Sequence, residues 1–129
     1  MDQTPSLLEA FREDPFFILL SVVFGLAALV IGALALLLRS TSRGIGAAAL
    51  LVALCALGAG SFGMLRDRGH ANVAATAPGL TAQDSARVIE SGHAAAQYNL
   101  FVGLVAALPG GVLGLLAIVL GRRRSSQAV

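Results

Sequence analysis

Residues 16–38 read FFILLSVVFGLAALVIGALALLL, twenty-three positions without a charged side chain. Hydrocarbon about 30 Å thick is crossed by roughly 20 helical residues, so this stretch is long enough to span a bilayer. Acidic residues flank it on its N-terminal side (Glu9, Glu13, Asp14), and its apolar run exceeds the core of a secretory signal. It is therefore read as a retained span. Working outward, residues 44–65 and 98–120 are two further uncharged apolar runs of spanning length. The composition agrees: 57% hydrophobic against 12% charged residues does not fit a small soluble domain. Tryptophan is absent and aromatics make up 5%, so the apolar mass is Ala, Leu, Val and Gly, which suits close helix packing in lipid.

The expected fold is all-α: an integral membrane bundle of three transmembrane helices with a short extra helix in an outer loop. Loop charges predict its orientation. The link at residues 39–43 carries Arg39 and Arg43 with no acid, and the tail after the third span carries Arg122, Arg123 and Arg124. Both are expected in the cytoplasm, which puts the N-terminal residues 1–15 and the segment 66–97 outside. Arginine-rich, lysine-free and alanine-rich composition points to a bacterial inner membrane. The arginines sit at span ends, where they orient a membrane chain, so nucleic-acid binding is not expected. Cys55 is the single cysteine and lies within a span, which excludes disulfide frameworks and cysteine-based zinc sites.

Small residues recur at helical spacing in each span. Gly25, Ala28, Gly32 and Ala35 mark the first, Ala49, Ala53, Ala56, Gly60 and Gly63 the second, and Gly103, Ala107, Gly110, Gly114 and Ala117 the third. Such stripes let backbones approach closely, and they predict helix packing without naming a partner. Besides the lipid bilayer, the expected partners are further copies of the chain or other membrane subunits. Within the third span, Pro109-Gly110-Gly111 predicts a bend, since proline removes a backbone hydrogen bond and the glycines permit the turn. That bend reads either as a hinge or as a static fit to the bundle.

In the outer segment, residues 71–80 end in Pro78-Gly79 and read as an irregular loop. Thr81 then opens a helix signal, with Asp84 as its capping-box partner, over residues 82–91. Ala86, Ile89 and Ala96 fall roughly on one side. Gly92 either ends this helix or is absorbed into a longer one entering the third span. Asp67-Arg-Gly-His70 and Glu90-Ser-Gly-His93 each place a carboxylate three residues before a histidine, on one helical face. Pairs of that spacing ligate di-metal centres in helical bundles, so Asp67, His70, Glu90 and His93 are candidate metal ligands; solvated histidines and local ion pairs are the competing reading. Elsewhere no nucleophile elbow, phosphate loop or zinc-protease motif occurs, and neither an enzyme nor a cofactor is expected.

The segment Gly103-Leu-Val-Ala-Ala-Leu-Pro109-Gly110 resembles the start of the last membrane helix in the MotA/TolQ/ExbB proton-channel family. Three spans with the N-terminus outside also resemble the ExbB and TolQ arrangement. The resemblance covers about one fifth of the chain. It implies an oligomeric transport or force-transducing complex, in which a pentamer surrounds single-span partners and couples proton flow to motion. Two departures accompany it. Only residues 39–43 separate the first two spans, where the family has a large cytoplasmic region, and Ala95 and Leu100 stand where the family carries an acid and a pore threonine. The alternative is a non-conducting structural accessory subunit that binds a partner through its outer loop.

Overall fold

The computed structural model describes Leu8, Arg12, residues 15–38 and residues 42–127. The acidic N-terminal flank and Arg39 lie outside these residues. Three helices make up the molecule: α1 (Pro15–Leu37), α2 (Ser42–Ala74) and α3 (Ala82–Gln127), and all three are long and apolar enough to cross a membrane. They run up, down and up against one another, and every pair is in contact.

The bundle is built inside out relative to a protein that folds in water. Among the described residues, the largest fully buried side chain is Ser21, and the core consists chiefly of Ala28, Ala35, Ala49, Ala53, Ala56, Ala96 and Ala117 with glycines between them. Leu19, Val23, Leu26, Val30, Leu51, Leu54, Phe101 and Leu115 point outward. Alanine and glycine bury too little apolar area to drive collapse in water, where burial is worth about 25 cal/mol per Å². In hydrocarbon that drive is not needed. Association there comes from van der Waals contact between closely approaching backbones, and small residues permit it.

The stripes are spent on contacts within the chain. On α1 the buried positions 18, 21, 25, 28, 32 and 35, with Phe17 beside them, alternate steps of three and four; on α2 positions 46, 49, 53, 56, 60 and 63 do the same, and Ala71 is buried beyond them. This is the seam spacing of helices packed side by side. A Cβ placed on Gly25 would lie 2.6 Å from the Ala106 carbonyl oxygen, and one on Gly32 would lie 2.8 Å from Leu113 Cβ. Between α2 and α3, Gly46 faces Gly114, Ala56 and Gly60 face Gly103, and Ala53 faces Gly111. Gly63 packs against Phe17 of α1. Ala107, expected in the α3 stripe, is half-buried beside the seam.

The expected short helix over residues 82–91 is not a separate element. The helix that begins at Ala82 continues without a break through Gly92 and Pro109 to Gln127, and α2 likewise continues past residue 65 to Ala74. What reads as an outer loop over residues 66–97 is therefore mostly a helical hairpin, extending the bundle beyond the apolar spans. The irregular part is confined to residues 75–81. Alanine is the best helix former, and residues 71–75 and 94–96 are rich in it. Tertiary contact supplies the rest: Ala71 Cβ occupies the place a side chain at Gly92 would need. Gly92 thus joins the helices instead of ending one.

Thr81 caps α3 as expected, but the return bond to Asp84 comes from its hydroxyl and not from its backbone N–H as in a full capping box. Asp84 N–H donates to Thr81 Oγ1 at 3.1 Å, and Thr81 Oγ1 donates to Asp84 Oδ2 at 2.6 Å. Gly79 takes φ of 89°, a conformation that disfavours any residue with a Cβ, and this turns the chain after Pro78. Ser85 Oγ donates to the Ala75 carbonyl at 2.8 Å and ties the turn to α3. Of the face expected to rest on the bundle, Ala96 is buried and Ile89 is partly buried, but Ala86 is exposed.

Candidate functional site

Polar side chains inside a membrane bundle are costly, and they mark the places where it does more than span. Among the described residues only two polar side chains are buried, Ser21 and Asn99. Both lie toward the hairpin end, on α1 and α3. Asn99 occupies a seam position of α3, one turn from Gly103, so packing with α2 turns its side chain into the bundle. There its Nδ2 donates to Asp67 Oδ2 of α2 at 2.5 Å. Asp67 lies just beyond the uncharged run of α2, at the edge of the apolar span, where the carboxylate remains partly accessible.

An aromatic and cationic group closes the same end. The Phe17 ring lies 5.2 Å from Phe16, edge to face, and 5.4 Å from Phe62. Arg66 Cζ sits 5.5 Å from the centre of the Phe17 ring, within the range of a cation–π contact. Gly63 makes this possible: a Cβ there would lie 2.7 Å from Phe17 Cβ and 3.1 Å from Asn99 Cγ, so all three helices converge on one glycine. Arg66 and Asp67 are neighbours in sequence, and each is held by a different helix, the guanidinium by α1 and the carboxylate by α3.

Two buried oxygens here have no hydrogen-bond partner among the described residues, Ser21 Oγ and Asn99 Oδ1. Ser61 differs, since its hydroxyl donates to the Leu57 carbonyl of its own helix at 2.9 Å. The Asp67–Asn99 pair thus offers a carboxylate and an amide to the bundle interior, and Ser21 adds a buried hydroxyl on α1. Chemically the pair can fix α2 against α3, or receive a small polar species at the mouth of the bundle.

The candidate metal ligands are placed close to this site but not as a set. Ala71 packs on Gly92 and Asn72 on His93, so the two carboxylate–histidine pairs share one level of the hairpin. Asp67 faces Asn99, His93 Nε2 lies 3.2 Å from Asn72 Oδ1, and His70 and Glu90 are exposed. No three His, Cys, Asp or Glu side chains among the described residues form a group able to hold a metal ion. Of the residues singled out for a bend, Gly110 is pressed against Ala28, with 2.5 Å from a notional Cβ to Ala28 Cβ; Gly111 has ordinary contact with Ala53, and Pro109 is exposed.

The pairs Asp67–Asn99 and Arg66–Phe17 are not apparent from sequence reasoning. The available signal is Asn99 itself, a polar residue in the register of a small-residue stripe. Comparison with known proteins adds no relative to this geometry: no family model matches the chain, and neither a curated protein nor a solved structure is similar to it.

Proposed function

We propose that this chain is a non-conducting structural subunit of a membrane-protein complex, anchored by its three helices and presenting the helical hairpin to a partner. One observation carries the reading: the interior is filled chiefly by alanine, glycine and backbone, and nothing larger than Ser21 is fully buried among the described residues. A conducting path through the bundle would need a continuous polar lining. The Gly103–Gly110 segment also has a sufficient reason in packing, since Gly103 fits Gly60 and Gly110 fits Ala28. The hairpin offers exposed polar groups of both signs, among them His70, Gln83, Arg87 and Glu90. We place the chain in a bacterial inner membrane, N-terminus outside and C-terminus in the cytoplasm, on the distribution of its arginines.

The test is the mass and composition of the complex extracted with its lipid. Recovery with a different membrane subunit, lost on Arg87→Ala with Glu90→Ala while the chain stays folded, is the expected result. A closed homo-oligomer carrying proton flux in vesicles would sink this reading and favour a second one, the channel-like subunit. The observation behind that second reading is the Asp67–Asn99 pair at the mouth of the bundle, together with the buried oxygens of Asn99 and Ser21 that have no hydrogen-bond partner among the described residues. Charge neutralisation by Asp67→Asn would then abolish the flux.

A further inference from the structure

The outer surface between α1 and α3 carries a groove of about 370 Å³, walled by Val22, Leu26 and Leu29 on one side and by Phe101, Val105 and Pro109 on the other. Its side chains are all apolar, but one backbone group in it is not satisfied. Proline has no N–H, so Pro109 leaves the carbonyl of Val105, four residues earlier, without its helical donor. Both residues line the groove, which puts that carbonyl in its wall, and no side chain of the α1 wall carries a donor. Val105 lies seven residues into the apolar run 98–120, about 10 Å from its end. At that depth there is no water to take up the carbonyl, and an unsatisfied backbone group is costly. Acyl chains would fill the groove, but they have no donor to offer.

A matching group stands elsewhere on the bundle at the same depth. Gly60 packs on Gly103 and Ala53 lies next to Gly111, so residues 53–60 of α2 are level with residues 103–111 of α3. Among the outward side chains of the described residues at that level, Cys55 alone carries a hydrogen-bond donor, and its thiol is exposed. Gly58, nearly one turn away, has nothing within 4 Å of a notional Cβ, so a second helix can come close along this face. The groove lies between α1 and α3 and Cys55 on the outer side of α2, so donor and acceptor cannot meet within one copy.

We propose that the α1–α3 groove receives α2 of a second copy of this chain, the Cys55 thiol donating to the Val105 carbonyl. Copies in one membrane share one orientation, so the two groups meet without a shift along the membrane normal. Because the two surfaces differ, the contact is head to tail and repeats from copy to copy, closing a ring or extending a row. The inference goes beyond the accessory-subunit reading and does not rest on it; self-association without proton flux leaves that reading standing.

The test uses two differently tagged versions of the full chain produced together: the unaltered chain, whose single cysteine is Cys55, and Val105→Cys in a Cys55→Ser background. Membranes treated with copper–phenanthroline are expected to yield a disulfide joining the two tags, which requires Cα atoms within about 7 Å. Leu104→Cys in the same background faces outward beside the groove without lining it, and should not cross-link. A Cys55–Cys55 disulfide in the unaltered chain as abundant as the mixed one would make the contact symmetric and overturn the proposal. No cross-link from variants present in the membrane at the unaltered level would overturn it too, and leave the groove to lipid or to a different subunit. The hydrogen bond is read from self-association in mixed micelles. Cys55→Ala should weaken it about threefold, from about 0.6 kcal/mol for a polar pair between membrane helices and 1.4 kcal/mol per tenfold. In a Pro109→Ala background, which restores an N–H for Val105, the same substitution should cost nothing; an equal loss in both backgrounds would show that the carbonyl is not the acceptor.

Discussion

Gly60 and Gly103 face each other across α2 and α3 so closely that a Cβ at residue 103 would lie 2.9 Å from Gly60 Cα and 3.0 Å from the Ala56 carbonyl oxygen. The opposing atoms are backbone, which no rotamer change can move aside. Gly103→Ala should therefore destabilise the bundle by about 1–3 kcal/mol, the usual cost of overpacking. Gly58 is the matched control, in the same helix as Gly60 with nothing within 4 Å of its notional Cβ. Gly58→Ala should stabilise by about 0.5–1 kcal/mol through lost unfolded-state freedom. Unfolding in mixed micelles reads both, and equal effects of one sign would mean that the glycine seam is not the interface.

The contrast between these two glycines shows what can be read along one chain and what cannot. Spans are legible because a run of twenty-three uncharged residues such as 16–38 has few alternatives in water. The stripe of small residues is legible as spacing, but its partner is not, because Gly110 would suit another copy as well as it suits Ala28 of its own chain. The hairpin is obscured by Pro78-Gly79, whose turn signal reads as an extended loop although it governs only residues 75–81. Gly69 and Gly92 weaken the local helix signal, and Ala71 against Gly92 restores it only when both helices are present. The Asp67–Asn99 bond joins residues thirty-two apart, and nothing local announces it.

That bond should appear as coupling. Asp67→Ala and Asn99→Ala, singly and together, form a cycle that separates their interaction from what each residue does alone. Polar pairs between membrane helices couple by about 0.6 kcal/mol on average and rarely exceed 1.7 kcal/mol. A charged acceptor at the edge of the span should place this pair in the upper part of that range. Additive losses would show that the two side chains act independently.

Thr81 caps the longest helix through two hydrogen bonds with Asp84. Thr81→Ala should cost about 1 kcal/mol, and Thr81→Ser should keep most of the stability because it retains the hydroxyl. The cap is exposed and remote from the spans, so its loss should fray the first turn and leave the membrane core unchanged. Hydrogen exchange resolved by residue should show faster exchange at residues 83–86 and unaltered protection near Gly103. Faster exchange along the whole of α3 would instead make the cap part of the cooperative core.

The orientation can be tested with two reporters at opposite ends of α2. Ser42 begins that helix beside Arg43, and Ala77 is exposed in the hairpin turn. Positive residues resist transfer across a membrane, and Arg43 and Arg122 to Arg124 fall at the Ser42 end, so that end should stay in the cytoplasm. With Cys55 replaced by serine, a membrane-impermeant thiol reagent applied to intact cells should modify Ala77→Cys and spare Ser42→Cys until the membrane is permeabilised. The reverse pattern would put the hairpin in the cytoplasm. The arginine end would then face outward, and any partner of the hairpin would have to be sought inside the cell.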